Sequence, residues 1–233
     1  MTKNLTWATM IKRNHYFILF LIVWAISNKG VAQTTDFRLR AGISVEKELS
    51  KKMAVAVGYE HRSYNHFTLF QELVEPSVSY EVIKPLTIGA EWRIMADQNL
   101  KRRVSYKQRG AISLRYKKEI GDFDLKIKTA IQYGFDDLTN TSGNFNKLIN
   151  RNSVSIDYTI YKSKFAPFAS YEFFYYLNDP HGGIINQSRL RAGTSYRLSK
   201  AAEISAYYLF ENEFNVADPV DSHIVGFSFG YKF

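Results

Sequence analysis

His223-Ile224-Val225-Gly226-Phe227-Ser228-Phe229-Gly230-Tyr231-Lys232-Phe233 places a bulky apolar side chain at every second position from Val225 onward, with small or charged residues between. A β-strand turns successive side chains to opposite faces, so this alternation marks a strand with one greasy face and one polar face. Phe37-Arg38-Leu39-Arg40-Ala41-Gly42-Ile43-Ser44-Val45-Glu46 keeps the same beat, and so do Met53 to Glu60, Leu86 to Ile94, Ile112 to Lys117, Phe123 to Lys128 and Val154 to Tyr158. No stretch of comparable length has the 3.6-residue period of an amphipathic helix.

Eleven such runs lie near 37–48, 52–63, 69–82, 86–95, 104–118, 123–135, 148–161, 165–176, 186–198, 202–213 and 221–233. Short turns join them at 49–51, 83–85, 119–122, 161–164 and 199–201, alternating with longer polar loops near 64–68, 96–103, 136–147, 177–185 and 214–220. Short turns on one rim and long loops on the other are the habit of an outer-membrane barrel. Arg38 to Val45 followed by Leu49-Ser50-Lys51 is echoed by Arg189 to Tyr196 followed by Leu198-Ser199-Lys200, either as a true repeat or as two strands drawn from the same residues.

Composition narrows the class. The 233 residues are 45% apolar and 15% aromatic, with no cysteine and five prolines, which excludes collagenous, disulfide-stapled and disordered chains. Lys12 and Arg13 precede an apolar run from Tyr16 to Ile26, and Gly30 and Ala32 are small enough for a signal-peptidase site. Eleven apolar residues fall short of the roughly 20 that a spanning helix needs. The expectation is a cleaved signal peptide at 1–32 and a barrel at 33–233. Cleavage removes four basic residues and no acid, lowering the formal charge from +9 to +5. An exported chain with dispersed lysines lacks the clustered basic face of a nucleic-acid binder.

Alternation alone does not separate a soluble barrel, apolar inside, from a membrane barrel, apolar outside. Aromatics near strand ends decide for the membrane: Tyr59, Trp92, Tyr116, Tyr133, Phe135, Tyr158 and Tyr196 stand where interfacial girdles lie. The other face carries Glu60, Arg62, Glu91, Arg93, Lys107 and Arg109, then Arg115, Lys126, Lys128, Glu172, Arg189 and Arg191, among many small residues. The chain end, with Tyr231 and Phe233 on the greasy face, resembles the terminal signal that directs outer-membrane barrels to their assembly machinery. The fold expected is thus an all-β, antiparallel, up-and-down transmembrane barrel of ten to twelve strands. Twelve is favoured, because single-chain bacterial barrels have even counts. The expected partners are outer-membrane lipid and the assembly machinery; no cofactor or metal is expected.

Tyr59-Glu60-His61-Arg62, Pro167-Phe168-Ala169-Ser170-Tyr171-Glu172, Ser188 to Gly193 and Gly226 to Phe233 together resemble a family of uncharacterised bacterial outer-membrane proteins, domain of unknown function family 2490. The resemblance covers the mature chain and implies a β-barrel in the bacterial outer membrane. It brings no catalytic or binding residues with it.

Chemistry is sparse. His61 and Ser63 share a strand face and loosely resemble the His-x-Ser pair of outer-membrane lipid A deacylases, but the neighbouring acid Glu60 points the other way. His181 and His223 stand near Asp179 and Asp221 at loops, where a protease could activate water, although Asp179-Pro180-His181-Gly182 reads first as a turn. The lumen charges, with Asp157 and Glu203 added, read in two ways: as pairs that lock a narrow barrel, the favoured reading, or as a basic passage for small anions. The function expected is non-enzymatic, structural or binding through the loops, with the anion pore and then a lipid hydrolase as alternatives.

Overall fold

The computed structural model describes residues 34–98, 103–135, 147–179 and 182–233. The signal segment 1–32 and His181 lie outside these. Eleven strands follow one another: β1 (Thr34–Glu48), β2 (Met53–Tyr64), β3 (Leu69–Ile83), β4 (Leu86–Gln98), β5 (Val104–Ile120), β6 (Phe123–Phe135), β7 (Lys147–Tyr158), β8 (Phe165–Tyr176), β9 (Ile184–Arg197), β10 (Ala202–Glu213) and β11 (Val220–Lys232). Each corresponds to one alternating run of the sequence. The branched and aromatic residues on their greasy face suit the pleated backbone, and the loops take the Asn, Asp and Gly.

Each strand pairs antiparallel with the next, and β1 closes the ring against β11 in parallel, from Thr34 beside Val220 to Glu46 beside Lys232. Eleven strands fall within the expected ten to twelve, one short of the favoured twelve, and the β1–β11 seam is the one departure from an otherwise antiparallel, up-and-down barrel. An even count follows only if the last strand closes antiparallel on the first. Here β1 starts at the long-loop rim and runs with β11 towards the short-turn rim, so an odd number closes with every edge paired. Closure is what lets a sheet cross lipid, since no main-chain N–H or C=O is left facing hydrocarbon.

The Leu-Ser-Lys echo in the sequence is an echo in geometry. At the β1–β2 turn the Leu49 N–H donates to Met53 O at 2.9 Å, and Ser50 Oγ accepts from the Lys52 and Met53 N–H groups at 3.2 and 3.1 Å. At the β9–β10 turn Leu198 donates to Ala202 O at 2.9 Å, and Ser199 Oγ accepts from Ala201 and Ala202 at 3.1 and 3.0 Å. At the β5–β6 turn Gly121 takes φ +60°, a conformation that a side chain would oppose.

The two faces are inverted relative to a water-soluble barrel. Ile112 is 67% exposed and Phe227 52%, whereas Gln132 is 1% and Glu211 3% exposed. An apolar wall of this extent is stable only against lipid. Rings gather at both ends of it: Phe123 with Tyr158 and Phe165 with Tyr196, both at 4.8 Å, on the short-turn side, and Tyr133 with Phe135 at 4.6 Å and Phe37 with His223 at 5.3 Å on the long-loop side.

Candidate functional site

The alternation that greases the outer wall aims the even-numbered residues of β1, β2 and β6, and the odd-numbered residues of β4, β5, β7, β9 and β10, into the lumen. The two larger chambers between them, among the described residues, carry most of the charge. The upper, about 870 Å³, lies towards the long-loop rim and is lined by six cationic side chains, among them Arg38, Lys107 and Arg103, against the acids Asp97 and Glu211. The middle, about 440 Å³, is lined by seven cations against the four acids Glu60, Asp157, Glu172 and Glu203. Arg40, Arg62 and Arg189 line both and form the waist between them.

Most charges foreseen in the lumen are paired. Glu60 accepts from Arg62 on its own strand, and Arg62 also donates to Gln71 Oε1 at 3.0 Å. Arg93 donates to Glu75 at 2.5 Å, Lys128 to Glu91 at 3.3 Å, and Lys107 pairs with Asp97 at 2.8 Å. Glu172 bridges Arg151 and Arg189, the latter at 3.5 Å. Arg191 is held by rings instead of acids, its guanidinium 3.7 Å from the centre of Tyr207 and 5.0 Å from that of Phe168. Gly226 makes room for this, because a Cβ there would fall inside the Tyr207 ring. Arg109 has no ion pair or hydrogen bond among the described residues, and the register sets it directly opposite Arg93.

The centre of the network is a residue that the sequence reading did not single out. Glu211 accepts from Arg189 at 2.5 Å, Arg38 at 3.1 Å and Arg40 at 3.4 Å, and its side chain is 4% exposed. Desolvating a carboxylate is costly, and three guanidiniums around it offset that cost. Glu75, Asp97 and Arg151 were likewise missed. All of them share the lumen parity of their strands, which was the available signal.

The described candidates for chemistry are engaged with other neighbours than a catalytic arrangement needs. His61 faces outward, as its parity requires, and its Nδ1 lies 2.6 Å from Glu72 Oε1 of β3, whose other oxygen accepts from the Tyr59 hydroxyl. Ser63 is buried, and its Oγ accepts from the Leu39 N–H at 2.8 Å. Asp179 O accepts from the Gly182 N–H at 3.0 Å. His223 meets the Tyr208 hydroxyl at 2.5 Å, while Asp221 accepts from Asn212 at 2.6 Å, so the two do not pair with each other. Among the described residues no group of three or more His, Cys, Asp or Glu side chains could hold a metal ion.

Fold and polar bore together define an outer-membrane-type β-barrel. The chain belongs to the family described as protein of unknown function (DUF2490), whose profile matches residues 28–222. No curated protein matches it. Among solved structures it is similar to a bacterial polysaccharide outer membrane secretin, with 10% identity, TM-score 0.49, 76% of this chain and 73% of that one covered. It is also similar to OmpT of Vibrio cholerae, with 16% identity, TM-score 0.39, 71% of this chain and 54% of that one covered. A loop L8 deletion mutant of the same protein gives 16% identity, TM-score 0.40, and 72% and 56% coverage. The chain thus spans little more than half the length of OmpT.

Proposed function

We propose that the chain enters the bacterial outer membrane after removal of residues 1–32, with its long loops outward, and that its lumen is a narrow passage favouring small anions. The observation that carries this is the direction of the ion pairs. Every pair between described residues on the inner wall joins strands at most two apart around the ring; the widest reaches are Arg38 and Arg40 of β1 to Glu211 of β10, and Lys128 of β6 to Glu91 of β4. A lumen locked by its charges needs acids and bases meeting across the bore. Circumferential pairs instead brace the wall and leave the chambers to water, and their cationic surplus sets the sign of the ion admitted.

The test is conductance of the refolded mature protein in planar bilayers under a salt gradient. Current steps with an anion-selective reversal potential are expected. Joint neutralisation of Arg62, Arg93 and Arg109 should reduce both conductance and selectivity. Silence from protein whose insertion has been verified would overturn the passage and return the loops to first place as the working surface.

A further inference from the structure

We infer that the lumen wall between β4 and β6 holds a subsite for inorganic phosphate built on Arg109 and Gln132, an inference that rests on the anion-passage reading. Arg93 and Arg109 are direct cross-strand partners on the inner face, an arrangement of like charges that disfavours the sheet unless something compensates it. Arg40 and Arg62 are opposed in the same way, yet each has a carboxylate, the shared Glu211 and Glu60 respectively. Arg93 has Glu75. Arg109 alone of these four has no such partner among the described residues, and the groups bearing most on it are Arg93, the Tyr176 phenol, Arg189 and Arg151.

Gln132 supplies the second half. It is 1% exposed, and neither its Oε1 nor its Nε2 has a hydrogen-bond partner. A buried amide without partners calls for an explanation, an ion or water being the usual one. In the register Ala111 lies opposite Gln132, which puts Gln132 diagonally beside Arg109 across only a methyl group; on its other side Ile149 is opposite and Arg151 diagonal. The place borders the route: the next lumen-facing residue of β5 towards the long-loop rim is Lys107, which lines the upper chamber, and across from Arg109 is Arg93, which lines the middle one.

An unpaired guanidinium fork suits an oxyanion, which it can grip with two parallel hydrogen bonds. The amide adds a distinction. Its N–H donates to any oxyanion, but its unused carbonyl oxygen needs a donor, which the P–OH of hydrogen phosphate supplies and sulfate lacks. The subsite therefore favours phosphate over sulfate.

The test is thermal unfolding of the refolded barrel, followed by β-sheet circular dichroism at pH 7 and fixed ionic strength, in chloride, sulfate or inorganic phosphate. Phosphate at several times its Kd should raise Tm by about 2–4 °C over chloride, with sulfate giving less. Arg109→Gln and Gln132→Leu should each remove the phosphate increment, while Lys84→Gln, at an exposed short turn, should keep it. Arg109→Gln relieves a repulsion, so it is expected to fold. The subsite is overturned by equal Tm in phosphate and chloride or by an increment that survives Arg109→Gln, and the phosphate assignment by a sulfate increment as large. A barrel that conducts chloride without a phosphate increment loses the subsite alone; one that shows the increment but stays silent in bilayers loses the passage alone.

Discussion

Glu48 and Lys232 form a 2.7 Å ion pair across the one parallel seam of the barrel. Lys232 also reaches Glu46 at 3.1 Å. Both partners are exposed, so the pair contributes at most about 1 kcal/mol. Beside it the Phe233 N–H donates to Glu46 O at 3.0 Å and the Glu48 N–H to Phe233 O at 3.1 Å. The seam is held by main chain, and the charges decorate its end.

Deleting Phe233 removes both of those main-chain bonds, the ring contact with Tyr231 and the Lys47 ammonium over the Phe233 ring. The expected result is a smaller fraction of folded barrel, read as the band that shifts on heating in a gel. Lys232→Ala, which leaves the ladder intact, should assemble like the wild type. Equal assembly of the deletion and the parent would remove Phe233 from the role of assembly signal.

The strands were legible because period two is a local property: each run carries its own evidence, and β11 matches its run to within a residue at each end. The face of each lumen residue was legible for the same reason. The parallel seam was legible only in part: the short turn after the first run and the long loop before the last set both running the same way, and the rule of even strand counts argued for a twelfth strand instead. Side-chain pairing was hidden too, on both faces of the wall. Glu72 lies eleven residues from His61, and Glu211 lies 173 from Arg38; only the register brings them together.

Trp92 can report which medium the outer wall meets. Trp7 and Trp24 fall within the expected signal, so Trp92 is the one tryptophan of a chain beginning at Gln33. Trp92 is 41% exposed on the apolar face, and its ring lies over Gly110, where a Cβ would come within 2.9 Å of it. Its Nε1–H donates to Gln108 Oε1 at 3.2 Å. Acyl-brominated lipid should quench its fluorescence and aqueous iodide should not; the reverse pattern would mean that the wall faces water. Gly110→Val should push the ring off the wall and cost about 1–3 kcal/mol by overpacking.

Glu211→Ala tests how dry the waist is. Removing this carboxylate strips Arg38, Arg40 and Arg189 of a shared acceptor in a site where the carboxylate is 4% exposed. If the guanidiniums stay desolvated, the loss is that of a broken buried pair, roughly 3–5 kcal/mol in equilibrium urea unfolding. The same substitution adds one net positive charge beside the waist, so anion selectivity in bilayers should rise while stability falls. The two readouts together discriminate. A loss below about 1 kcal/mol with increased selectivity means that lumen water re-solvates the arginines, which is the behaviour of an exposed pair. A large loss with unchanged selectivity means that ions do not pass this point at all, and the passage then ends at the upper chamber.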